Sequence, residues 1–103
     1  MALACYFFLG VKNFFDAIVT IDMVDNPKPC PDTYLLAAEQ LRVDPASCVG
    51  VEDTIVGVRA VKKAGMKSIG LANEFTSAEE LASADLVVKS ISELNYEMLR
   101  GLF

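Results

Sequence analysis

The chain has 103 residues, enough for at most one domain. Its net charge of −5, without a cluster of basic residues, excludes nucleic acid as a partner. No histidine is present, which excludes Ser-His-Asp catalysis, a Cys-His pair and most zinc sites within the chain. Three separated cysteines without a CxxC pair indicate reduced thiols, and the apolar start is too short to span a bilayer. We therefore expect a soluble, cytoplasmic protein that binds neither nucleic acid nor membrane.

The first half of the chain predicts a strand, a stiff loop and a helix. Residues 17–20 read Ala-Ile-Val-Thr, a composition typical of a short strand. Three prolines among residues 27–31 exclude a helix or a central strand, so we expect a loop over residues 22–32. A helix with one apolar face is predicted from Thr33, and a turn follows at residues 43–47.

The second half alternates strands with helices. Residues 48–51 form an apolar run typical of a buried parallel strand, and residues 54–64 have a helical pattern. Gly65 stands where a left-handed residue ends a helix, and a strand is predicted at residues 67–71. A capping box at residues 77–80 predicts the start of a short helix, and residues 85–88 are predicted to form a strand. A second capping box, which begins at residue 90, predicts a last helix that runs to the C-terminus. This alternation predicts an α/β fold with a parallel sheet covered on both faces.

Two adjacent carboxylates, Glu52 and Asp53, directly follow the apolar run. Open α/β sheets bind ligands at the carboxyl ends of their strands, and two carboxylates there repel each other unless a cation is bound. The pair therefore predicts a Mg²⁺ site, with one acid binding the ion directly or both acting through water. The residues alone leave a second interpretation equally open, in which Asp53 or Thr54 only caps the following helix.

Lys28 lies between Pro27 and Pro29, which restrict the backbone and hold its ammonium near one position. A fixed ammonium can bind a phosphate or a carboxylate, although an exposed loop lysine without such a role is the commoner case. Thr20 ends the predicted first strand at the same edge of the sheet. Its hydroxyl can donate to a phosphate oxygen, but capping of the loop is the interpretation that the residues alone favour.

Four segments taken together resemble the haloacid dehalogenase superfamily, and within it the β-phosphoglucomutase-like phosphatases. The segments are Asp16–Thr20, Lys28–Tyr34, Gly50–Ala60 and Ala64–Met66. The resemblance implies a Rossmann-like three-layer fold and Mg²⁺-dependent phosphoryl transfer through an aspartyl-phosphate. It also implies a partial core domain over residues 11–103, preceded by an atypical segment at residues 1–10.

The resemblance implies roles for single residues. Lys28 matches the lysine that steadies the nucleophile and the phosphoryl group, so it is expected to be catalytic and to bind phosphate. Glu52 and Asp53 match the acidic pair at the Mg²⁺ site, and Asp53 is the better candidate for a direct or water-bridged ligand. Thr20 is kept, from its position, as a second phosphate-binding candidate. The implied substrate is a small phosphorylated metabolite, such as a sugar phosphate.

The chain departs from the family pattern near its start. It has no match to the Asp-x-Asp-Gly motif that carries the nucleophile, since Asp22-Met23-Val24-Asp25 follows the wrong strand. The Ser or Thr of the family's second motif and the helical cap domain are also unmatched. We therefore expect an incomplete sheet without the first two core strands, and a chain that is inactive alone. Its open strand edges favour self-association or pairing with a missing N-terminal half.

Two other functions stay open from the sequence. One is a catalytically inactive binding or assembly module that keeps a remnant of the metal site. The other is a 2-haloacid dehalogenase. The acidic pair argues against dehalogenation, because displacement at a carbon–halogen bond needs no metal.

Overall fold

The computed structural model describes residue 17 and residues 19–103, and every structural statement below concerns these residues. Three strands and three α-helices follow one another along the chain: α1 Asp32–Leu41, β1 Val49–Glu52, α2 Ile55–Lys63, β2 Lys67–Leu71, β3 Leu86–Val88 and α3 Tyr96–Arg100. Short 3₁₀ helices are found at Ile21–Met23, Pro45–Ser47 and Ile91–Glu93.

The strands form one parallel sheet in the order β1-β2-β3. Val51 is opposite Ile69, and Ile69 is opposite Leu86, so the carboxyl ends of the strands lie at the same edge of the sheet. This arrangement confirms the predicted α/β fold. It also fixes the edge at which a ligand site is expected.

The core lies where α1 and α2 meet, and α2 also packs on β1 and β2. Its buried members come from both helices and from the turn that joins α2 to β2: Tyr34, Ala38, Ala60, Val61, Ala64 and Met66. A Cβ atom at Gly50 would lie 2.5 Å from Val61 Cγ2, so glycine in β1 is what allows α2 to pack closely on the strand.

The ends of α2 are as the sequence predicts. The Thr54 hydroxyl accepts a hydrogen bond from the Gly57 amide at 3.0 Å, which caps the first turn. Gly65 has a φ of +81°, in the left-handed region that glycine adopts without strain. Lys62 and Lys63 occupy the last turn, where positive charge is favourable.

The predicted strand at 17–20 is wrong for the residues that the structure describes there. Thr20 has an extended backbone, but Ala17, Val19 and Thr20 belong to no strand, and Ile18 lies outside the described residues. A strand needs a neighbour for its backbone hydrogen bonds, and the sheet of the described residues consists of β1, β2 and β3. An extended segment without a neighbour therefore remains irregular.

Two predicted helices near the C-terminus are also corrected. Ser77 accepts from the Glu80 amide as a cap should, but residues 78–83 form successive turns and not an α-helix. The capping box of Ser90 and Glu93 is present, yet it opens the 3₁₀ helix Ile91–Glu93. α3 begins only at Tyr96, after a second cap by Asn95. Local capping was predicted well, but the number of turns that follow was not.

No helix among residues 19–103 combines the length and the apolar character required to cross a membrane.

Candidate active site

β1 carries Glu52 and Asp53 to the carboxyl edge of the sheet. Glu52 is the last residue of the strand and its side chain is 8% exposed, whereas Asp53 is exposed. The two acids therefore have different surroundings, as the alternation of side chains along a strand predicts. The Asn73 side chain, which follows β2, donates to the Asp53 carbonyl at 3.2 Å and ties the two loops together at this edge.

Lys28 reaches the same edge from the proline loop. Its Nζ lies 2.8 Å from Glu52 Oε2, and its side chain is 40% exposed. The loop is held by a hydrogen bond from Asn26 Nδ2 to Asp32 Oδ2 at 3.1 Å, which joins it to the start of α1. The structure thus brings together Lys28 and Glu52, which are 24 positions apart in the chain. The Lys28 side chain is thus paired with Glu52 and still partly exposed to solvent.

Tyr34, in the first half of α1, is a further member of this site, and the sequence analysis did not predict it as a site residue. Its side chain is 1% exposed, and its hydroxyl donates to Glu52 Oε2, the oxygen that Lys28 also contacts. Burial, followed by the Glu52 carboxylate, raises the pKa of the Tyr34 hydroxyl well above its usual range, so it stays a donor. A buried tyrosine needs a partner for its hydroxyl, and that requirement was the available signal.

Gly57 makes room for the Glu52 side chain. A Cβ atom at position 57 would overlap the Glu52 carboxylate, whose Oε1, Cδ and Cγ are its three nearest neighbours. Glu52 is therefore enclosed by α2 on one side and by Lys28 and Tyr34 on the other. Glycine at position 57 therefore allows α2 to pack closely on β1, and the group that it accommodates is the site carboxylate.

Thr20 stands apart from this group of contacts. Its hydroxyl donates to Asp22 Oδ1, and this hydrogen bond lowers the pKa of the exposed Asp22 carboxyl. Although Thr20 directly precedes the 3₁₀ helix Ile21–Met23, its side chain makes no capping hydrogen bond to the backbone of that helix, so the capping interpretation is not confirmed. Within the part of the chain that the structure describes, Thr20 makes no hydrogen bond to Lys28, Glu52 or Asp53.

The donor set at this edge suits a hard cation. Asp53 offers an exposed carboxylate beside Glu52, and Mg²⁺ is usually bound through one or two carboxylates, with waters and phosphate oxygens completing its shell. Residues 19–103 contain no cluster of three or more side chains of His, Cys, Asp or Glu that would form a complete metal site. The residues present therefore fit Mg²⁺ as part of a shared site and do not fit a closed structural metal.

The fold and the site together define a class of protein, namely an α/β domain with a lysine and an acidic pair at the carboxyl edge of a parallel sheet. Comparison with known proteins identifies the family. The model of the family described as haloacid dehalogenase-like hydrolase matches residues 4–71. The chain belongs to this family, and the resemblance stated from its motifs is confirmed.

Individual relatives agree with this assignment. The chain is 42% identical over 83 residues to protein CbbY of Cereibacter sphaeroides, a match that covers 81% of this chain and 36% of that protein. It is 38% identical over 91 residues to the β-phosphoglucomutase of Bacillus subtilis (strain 168), covering 88% of this chain and 38% of the relative. The crystal structure of β-phosphoglucomutase from Clostridium difficile superposes with a TM-score of 0.81 at 36% identity, over 91% of this chain and 40% of that chain.

The superposition also confirms the predicted Rossmann-like class of fold. The chain spans about two fifths of the length of the relatives that it matches.

Proposed function

We propose that this chain belongs to a Mg²⁺-dependent phosphatase or phosphomutase that acts on a small phosphorylated metabolite, such as a sugar phosphate. The observation that carries the proposal is the Lys28–Glu52 pair, with Nζ 2.8 Å from Oε2, next to the exposed Asp53 at the carboxyl edge of β1. A fixed ammonium beside an available carboxylate supports binding of a phosphoryl group together with a divalent cation. The names of the two β-phosphoglucomutases add support.

In this proposal Lys28 binds phosphoryl oxygens. Glu52 neutralises and orients the ammonium without covering it, since the Lys28 side chain keeps 40% of its surface exposed. An ammonium held in place stabilises the negative charge of the transferring group without having to reorganise during the reaction. Lys28 is therefore the residue of this chain with the most direct catalytic role.

Asp53 is proposed as the protein ligand of Mg²⁺ in this chain, directly or through water. Glu52, predicted with it as a metal residue, has one oxygen taken by Lys28 and Tyr34 and would act on the ion at most through water. When bound, Mg²⁺ would polarise the phosphoryl group and offset its charge. Thr20 remains a proposed second phosphate contact, and its hydroxyl would exchange Asp22 for a phosphate oxygen.

By the family resemblance, the attacking group is an aspartate of a segment that this chain does not match. The free thiols Cys30 and Cys48 fit a reducing compartment, and we propose the cytoplasm. Among the alternatives, 2-haloacid dehalogenation is disfavoured, because an exposed acid beside the Lys28–Glu52 pair is unnecessary for a reaction without metal. The inactive module is tested by the experiment below.

A chimaera tests the proposed function. This chain replaces the 91 aligned residues of the Bacillus subtilis β-phosphoglucomutase, which supplies the regions that the chain does not span. We expect hydrolysis of p-nitrophenyl phosphate that depends on Mg²⁺. A folded chimaera without turnover, next to an active parent, contradicts the proposal and supports the inactive module.

The Lys28→Met variant of the chimaera tests the residue on which the proposal depends. Because it removes the ammonium that binds the phosphoryl group, we expect kcat/KM to fall by about 100-fold or more. Lys89→Met, which removes an exposed lysine after β3, is the matched control and should retain activity. Equal activity in the Lys28 variant and its control contradicts the assigned role.

A further inference from the structure

We propose that Tyr34 is a positioning residue that sets the place of the Lys28 ammonium, an inference that rests on the proposed function for its catalytic meaning. The hydroxyl of Tyr34 holds the Glu52 carboxylate, and the ring of Tyr34 lies beneath the ammonium. Tyr34 thus contacts both members of the Lys28–Glu52 pair.

Two contacts support this placement. The Tyr34 hydroxyl and Lys28 Nζ meet at one oxygen, Glu52 Oε2, with Nζ 2.8 Å away. Lys28 Nζ also lies 5.8 Å from the centre of the Tyr34 ring, within the range of a cation–π interaction. The ammonium is therefore located by the carboxylate at one side and by the aromatic face at another.

The surroundings of Glu52 indicate that the Tyr34 hydroxyl has a role beyond packing in the core. Phenylalanine would occupy the same volume at this 1% exposed position, but it could not hold the carboxylate. Glu52 Oε1 lies against Gly57, so rotation of the carboxylate is restricted on that side by the backbone of α2. Without the Tyr34 hydroxyl, Glu52 Oε2 would no longer be held in place. The Lys28 ammonium would then lose the fixed carboxylate oxygen that positions it.

The direct test measures the order of Lys28 in the full chain by NMR. In the wild type we expect a resolved ¹⁵Nζ signal for Lys28, and a Tyr34 hydroxyl proton that exchanges with water far more slowly than that of the exposed Tyr96. In Tyr34→Phe, which keeps the aromatic ring in the core, the Lys28 signal should move toward the position of the exposed loop lysine Lys89. Tyr96→Phe is the matched control and should leave the Lys28 signal unchanged.

The exchange rate of the Tyr34 hydroxyl proton in the wild type tests the proposal without any variant. A Tyr34 hydroxyl proton that exchanges as fast as that of Tyr96 overturns the proposal, and so does a Lys28 signal that is identical in the wild type and in folded Tyr34→Phe. Slow exchange in the wild type supports it even if the variant fails to fold.

Binding of inorganic phosphate in the presence of Mg²⁺, measured by ³¹P NMR on the chimaera, links the inference to function. We expect Tyr34→Phe to weaken phosphate binding by about tenfold, the loss typical of a hydrogen bond to a charged group, with Tyr96→Phe unaffected. Undiminished phosphate affinity in Tyr34→Phe overturns the inference. If no variant binds phosphate but Lys28 order still depends on Tyr34, the proposed function fails and the positioning role stands.

Discussion

At the scale of single residues, the site depends on a carboxylate that is both buried and crowded. Glu52 is 8% exposed and touches Lys28, Tyr34 and the backbone at Gly57. Such a group is tolerated only because an ammonium and a hydroxyl replace its lost water. The same packing makes position 57 intolerant of any side chain, although glycine in the first turn of a helix is otherwise unfavourable.

We predict that Gly57→Ala destabilises the protein by about 1–3 kcal/mol, as overpacking of a core does. All three heavy atoms nearest to the added Cβ belong to Glu52, so the strain falls on that side chain. Urea unfolding of the single variant against the wild type measures the loss.

A double-mutant cycle supplies the control for this prediction. In a Glu52→Ala background the clashing atoms are gone, so Gly57→Ala should cost almost nothing or stabilise slightly, as helix propensity alone would give. An equal loss of stability in both backgrounds would mean that position 57 is constrained by something other than Glu52.

At the scale of elements, Asp85 joins β2 to β3 at the edge opposite the site. Its Oδ2 accepts from the Ser68 amide at 2.8 Å and from the Ser68 hydroxyl at 3.1 Å, and Ser68 is fully buried. The Ser68 amide is the main cause of a lowered pKa at the Asp85 carboxyl. The stabilising form is therefore the carboxylate.

This linkage predicts a direction for the dependence of stability on pH. Because the pKa of Asp85 is lower in the folded than in the unfolded chain, its contribution is complete above the usual Asp pKa of about 4 and is lost as the pH falls through the folded value. We expect Asp85→Asn to lower the free energy of unfolding at pH 7 by about 1 kcal/mol, and the difference from wild type to shrink below pH of about 4.

Urea unfolding at a series of pH values checks this, with Asp25→Asn as the control for a carboxylate in an exposed loop. A difference between Asp85→Asn and wild type that stays constant from neutral to acidic pH contradicts the role of the charge.

At the scale of the whole molecule, β1 is an edge strand of the sheet that the described residues form. Among the described residues it pairs with β2, and its second edge has no strand beside it. A pocket of about 260 Å³ lies between α1 and the start of β1, lined by apolar side chains that include Leu41, Val49 and Met66. Unpaired strand edges offer backbone groups to other chains.

We therefore predict that the isolated chain associates through the β1 edge as its concentration rises. Sedimentation velocity over a wide range of concentrations measures this, and Val49→Lys should reduce association because charge at an edge strand opposes pairing. A strict monomer at all concentrations that unfolds cooperatively on heating would contradict the prediction.

The sequence predicted the segments whose information is local. The apolar run of β1, the caps of α2 and the left-handed Gly65 follow from neighbouring residues, and the structure confirms them. The strand predicted at residues 17–20 was wrong, because strand formation depends on a neighbour that no local pattern reveals. Capping boxes marked where helical turns begin, but packing decides how many turns follow.

The residues of the candidate site also differ in whether the sequence or only the structure reveals them. Lys28, Glu52 and Asp53 could be selected from residue type and position, and the structure brings Lys28 and Glu52 into contact. Helical periodicity placed Tyr34 on the apolar face, yet only the tertiary arrangement shows that its hydroxyl meets Glu52. The phosphate contact of Thr20 stays a prediction. In the structure its hydroxyl donates to Asp22.

The most direct test of the central claim is Mg²⁺ binding to the chimaera in the presence of inorganic phosphate, measured by isothermal titration calorimetry. The site as described predicts that Asp53→Asn weakens Mg²⁺ binding by about tenfold or more, because the variant removes the charged ligand, whereas Asp25→Asn binds as the unaltered protein does. Mg²⁺ binding of equal strength in the Asp53 variant and the unaltered chimaera would contradict the claim and leave Asp53 as an ordinary residue at the start of a helix.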